Sequence, residues 1–145
     1  MGCDIHLSVE IKVKGVWLHY NRPYIHRNYY LFCMMAGVRQ YNAPAEPKPI
    51  SQPRGLPTEP ISDVTSFLLD YDGPDAHSVS WLSAEEAGKV QGWWSKDSGL
   101  ERHHPPLFGY LFGNAIDSYI KYPEDGSRLK ERGYEDARLV FWFDN

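Results

Sequence analysis

The opening stretch MGCDIHLSVEIKVK places Cys3, Ile5, Leu7, Val9, Ile11 and Val13 on one side, and Asp4, His6, Ser8, Glu10, Lys12 and Lys14 on the other. A period of two sustained this long is the pattern of an extended strand, because successive side chains of a pleated chain leave opposite faces. The segment therefore demands a sheet, with one face against a core and the other open, which is the habit of antiparallel sheets. Lys14-Gly15 is a weaker turn pair than Asn-Gly, yet Val16 to Tyr20 (VWLHY) reads as the returning strand of a hairpin.

Beyond the hairpin the period changes. Asn28 is placed to cap a short helix that Gly37 ends. Residues 38–61 carry six prolines and no sustained period, which predicts an ordered excursion or a lid. Ser62 or Asp63 then caps a helix in which Val64, Phe67, Leu68 and Tyr71 share a face. A turn leads to a short extended segment at His77, and the Ser83/Glu86 capping box starts another helix that finishes near Trp93-Trp94. The pair His103-His104 reads as a loop, and Phe108, Leu111, Phe112, Ala115, Ile116 and Tyr119 form one helical stripe. Ala137 to Phe143 closes the chain as a β-branched and aromatic strand, apolar enough to be internal in a sheet. The expectation is one α+β domain over residues 1–145: a small, mostly antiparallel sheet built from the N-terminal hairpin and the C-terminal strand, with helices packed on one face.

Composition narrows the function classes. A net charge of −4 argues against general nucleic-acid binding, which needs a basic surface to release counterions. A small anionic ligand needs only a few well-placed arginines. Two cysteines, Cys3 and Cys33, are too few for a secreted disulfide scaffold, and no long apolar run suggests a membrane span, so the expected home is a reducing cytoplasm.

The candidate chemistry gathers around two histidines. Asp4 and His6 point the same way on one strand, close enough for the carboxylate to orient the imidazole, although a solvated polar face explains them equally. His77 stands beside Ser78, Ser80 and Trp81 after a turn, a setting suited to ligand binding or simply to a satisfied turn. If His6 and His77 meet, Asp4, His6 and His77 are the expected catalytic or divalent-metal set. His6 to Val9 also fits the His-apolar-Ser/Thr-apolar tetrapeptide of two-histidine phosphoesterases, but in the second stretch, HSVS at 77–80, the later serine is one position too far and should face the opposite side of its strand. Arg27, Arg39 and Arg54 are the basic residues best placed for an anion, against the plainer reading of surface ion pairs. Arg138 is the more unusual, a charge inside an apolar strand that must face solvent, a partner or a pocket.

Taken together, MGCDIH, LFCMMAGVR, PRGLP, HSVSWLSAEE and RLVFWFDN resemble a family of small proteins encoded in bacteriophage genomes and related bacterial sequences. The resemblance implies a viral origin and action inside the bacterial host cell, and it carries over no activity or catalytic residues. With it, the expected function is sequestration of a small nucleotide-derived host immune signal, with Arg39, Arg54 and Arg138 on phosphate, Ser78 and Ser80 as hydrogen-bonding groups, and Trp81 stacked on a base; no cofactor is required. The alternatives are a hydrolase acting through His6 and His77, with or without divalent metal, and a protein-binding inhibitor presenting Trp17, Trp93 or Trp94. The VWLHY edge is also suited to pairing with a second copy, giving a homo-oligomer.

Overall fold

The alternating segment forms β1 (Asp4–Val13) and returns as β2 (Val16–Asn21). The two-residue turn works because Lys14 and Gly15 both take positive φ, 50° and 78°, which matches the twist of the strands it joins. In the computed structural model, which describes residues 2–25, 27–41, 46–92 and 134–145, these strands belong to a four-stranded antiparallel sheet. The remaining strands are β3 (His77–Ser83) and β4 (Asp136–Asp144), and the order across the sheet is β2-β1-β4-β3. The closing apolar strand is thus internal, as its composition predicts. The helical stripe expected over 108–119, the His103-His104 pair and Trp93-Trp94 lie outside the described residues.

One face of the sheet is the core. Ile5, Leu7, Val9 and Ile11 of β1 join Ala137, Leu139, Phe141 and Phe143 of β4 there. Against them pack α1 (Tyr29–Ala36) and α3 (Ala84–Gly92), through Leu31, Phe32 and Met35 and through Ala84, Ala87 and Val90. The caps of α1 are those expected: the Asn28 side chain accepts from the Leu31 N–H, and Gly37 ends the helix at φ 67°. The capping box of α3 also forms, with Ser83 N–H donating to Glu86 and Glu86 N–H to Ser83 Oγ.

The other face is not open, and here the structure differs from the alternation taken alone. α2 (Asp63–Asp72) and the preceding segment lie against it, with Ser8, Glu10 and Arg138 buried beneath. The chain reaches that face by the Pro-rich segment, which is pinned as it goes. Ile50 N–H bonds Met34 O of α1, Gly55 N–H bonds Val79 O on the outer edge of β3, and Pro60 O accepts from Arg138. Residues 46–61 form a strap that closes the β3 edge while passing from one face of the sheet to the other. Among the described residues no helix is long and apolar enough to cross a membrane.

Candidate functional site

Residues directly opposite in an antiparallel ladder project to the same face. The register therefore arranges the polar face in rows: Trp17, Lys12 and Asp136; His19, Glu10, Arg138 and Ser83; then Ser8, Val140 and Trp81; then His6 and Trp142. Lys12, Asp136, Arg138 and Ser83 from these rows line a cleft of about 300 Å³, together with Pro57, Thr58 and Glu59, with Trp17 contributed by one edge strand and Trp81 by the other.

Beneath the cleft is a buried ion pair. Arg138 Nε donates to Glu10 Oε1 at 2.9 Å and Nη2 to Pro60 O at 3.1 Å, while the guanidinium lies 4.0 Å from the centre of the Trp17 ring. Glu10 Oε2 accepts from the Ser62 N–H and from Thr65 Oγ1, each at 2.7 Å. Arg138 is thus paired with a fully buried carboxylate, and it also lines the cleft. Its charge in an apolar strand is explained by a partner on the neighbouring strand.

The other candidate arginines, Arg27, Arg39 and Arg54, are also engaged. Arg54 spans the strap and β3: its guanidinium donates to Trp81 O and pairs with Glu86, and it lies 4.1 Å from the centre of the Trp81 ring. Burial pushes the Glu86 carboxyl up, but hydrogen bonds from Arg54 and the Ser83 N–H outweigh it and hold the group below its usual range. Arg54 and Trp81 therefore do meet, with Arg54 holding the indole that lines the cleft. Arg27 makes two bonds of 3.0 Å to Asp4, which hold that carboxyl below its ordinary value. Arg39 donates to Asn145 Oδ1 at 3.4 Å and lies over Tyr29.

His6 and His77 fall on opposite faces. His6 stands opposite Trp142, whereas His77 stands opposite Phe143 and stacks on it, with ring centres 6.2 Å apart. A bulge between His77 and Ser80, with Ser78 at φ 53°, inserts one extra residue. It places His77 and Ser80 on the same face, against the parity expected for an unbroken strand. Ser80 is buried and accepts the Arg54 N–H; Ser78 Oγ bonds His77 Nδ1 at 3.0 Å, and His77 Nε2 bonds Asn145. Nor does Asp4 orient His6. That imidazole lies between Asp144, 2.9 Å from Nε2, and Asp72, 3.6 Å from Nδ1, and Asp72 also accepts from Trp142 Nε1. The expected set of Asp4, His6 and His77 is not assembled, and among the described residues no group of three or more His, Cys, Asp or Glu side chains is placed to hold a metal ion.

Sequence reasoning passed over Lys12, Glu59 and His19 as site residues, and named Trp17 only as part of a protein-docking surface. Trp17 Nε1 donates to Glu59, and Lys12 pairs with the same carboxylate; these two bonds hold Glu59 below its ordinary range. The signal for Lys12 and Trp17 was present in the hairpin, because a two-residue turn after Val13 sets them opposite each other. Glu59 comes from the strap, whose path no local pattern specifies. We found no match to this chain among protein-family models, curated proteins or solved structures.

Proposed function

We propose that the protein binds and sequesters a small nucleotide-derived ligand in the cleft lined by Trp17 and Trp81. The observation that carries this reading is the composition of the cleft, to which every strand of the sheet contributes a side chain. Indole faces take a nucleobase by stacking. The carboxylates of Glu59 and Asp136 are acceptors for ribose hydroxyls, a use of acidic side chains common in nucleotide sites. Lys12 is the cation for phosphate, because its pair with the half-exposed Glu59 is weak enough for an anion to displace. The separation of His6 from His77 supports binding over turnover.

The resemblance to phage-encoded proteins directs the choice of ligand to cyclic and ADP-ribose-derived nucleotides that carry bacterial immune signals. Purified protein is incubated with such a panel, washed by filtration, and the retained ligand analysed by mass spectrometry before and after heat release. Retention of one nucleotide, its recovery intact, and a loss of affinity of about tenfold or more in Trp81→Ala are expected. Cleavage products would make the protein an enzyme. If nothing is retained the nucleotide reading falls, and the outward apolar residues of α2, Val64, Phe67 and Tyr71, favour an inhibitor that docks on another protein.

A further inference from the structure

The hydroxyl groups under α2 can donate in only one arrangement. Thr65 Oγ1 has one proton and three neighbours: Glu10 Oε2 at 2.7 Å, Ser8 Oγ at 2.7 Å and Ser62 Oγ at 2.9 Å. A carboxylate only accepts, so Thr65 donates to Glu10. Both serines must then donate to Thr65. Ser8 has spent its proton, and its remaining contact, His19 Nδ1 at 2.7 Å, must be the donor. The relay from Arg138 through Glu10, Thr65 and Ser8 thereby places a proton on Nδ1 of His19 and, in the neutral ring, leaves the lone pair on Nε2.

His19 lines a second cleft, about 810 Å³, that runs along β2 and the start of α2. Leu18, Ile61 and Val64 give it apolar walls, Glu59 and Asp63 contribute carboxylates, and neither Lys nor Arg is among its described lining residues. Among the described residues only Ser8 bonds the His19 ring. Acceptors and negative charge beside apolar surface define the complement of this cleft as a cation with N–H donors on an apolar body. We propose that the cleft binds an organic ammonium or guanidinium, read by the Nε2 lone pair of His19. Burial lowers the pKa of His19, opposed by Glu10 and assisted by Arg22, so the ring is neutral and accepting near pH 7. The inference is separable from the nucleotide reading: it concerns ligand charge of the opposite sign in an adjoining cleft that shares Trp17 and Glu59 with the first, and its probe carries neither base nor phosphate.

The test uses the whole chain labelled with ¹⁵N-histidine and the probe 2-phenylethylammonium. Long-range ¹H–¹⁵N spectra are expected to show the Nδ1–H tautomer for His19 in the free protein. The probe is expected to shift Nε2 saturably, with a Kd of about 1 mM or tighter, whereas phenylacetate leaves it unmoved. Binding should weaken as pH falls below the ordinary histidine value of 6.5, because protonated Nε2 no longer accepts; Glu59 and Asp63 of the cleft and Glu10 and Arg22 beside the ring are the other charges it faces. In Thr65→Val, Ser8 is left with only His19 to donate to, so the proton should move to Nε2 and probe affinity should drop by about tenfold. A wild-type His19 carrying its proton on Nε2 overturns the proposal, and that measurement needs no variant to fold. Equal binding of phenylacetate, or no saturable shift, overturns it as well.

Discussion

Glu10 has no exposed surface and Arg138 almost none. Taking two such groups out of water costs several kcal/mol each, so they persist only where geometry and additional hydrogen bonds compensate, as the Ser62, Thr65 and Pro60 contacts do here. Removing one partner leaves the other charge buried and alone. Arg138→Met should therefore lower unfolding stability by about 3–5 kcal/mol in urea titration, and a loss below about 1 kcal/mol, typical of a surface pair, would contradict the account. The anomaly of Arg138 was legible in the sequence, whereas its partner was not. Glu10 sits on the polar side of an alternation that is normally solvated, and only the covering by α2 makes it an interior residue. His77 misleads for a different reason: a single inserted residue reverses parity along a strand, and no local composition announces the bulge at Ser78.

At the level of elements, α1 and α2 were read by the same rules with different results. In both, a residue named from the sequence caps the helix: Asn28 for one, and for the other Ser62 of the two candidates Ser62 and Asp63. Periodicity also assigned Val64, Phe67, Leu68 and Tyr71 to one face of α2, but the structure turns most of that face to solvent, with Phe67 68% and Tyr71 80% exposed and Leu68 half-buried. The reason is the surface beneath: a floor of Ser8, Glu10 and Trp142 Nε1 needs hydrogen-bonding groups, and Thr65 and Asp72 supply them. A helical pattern tells which residues travel together and leaves open which way they point. Phe67→Ser should accordingly change stability by less than about 0.5 kcal/mol, while Phe141→Ala, in the core, should cost about 3–5 kcal/mol; equal costs in the same denaturation assay would place Phe67 inside.

For the molecule as a whole, one core joins the sheet, α1 and α3, and both cysteines are buried with no exposed surface. Burial raises the pKa of each thiol, and Cys33 Sγ donates to Pro47 O in the strap. Since the thiolate is the nucleophile, iodoacetamide should leave both unmodified in the native protein and label them together across the global unfolding transition, as read by mass spectrometry. Labelling of either one well before that transition would mean that its part of the core opens independently. The order β2-β1-β4-β3 bears on how such a core is made. β4 is synthesised after every other described element, yet it is the strand that joins β1 to β3. A nascent chain emerging from the ribosome thus carries its hairpin, strap and first helices with two unzipped ladders waiting for one late partner. The interval of translation between Gly92 and Asp136 is when those strand edges are open to wrong pairing, and when a holding chaperone has most to protect.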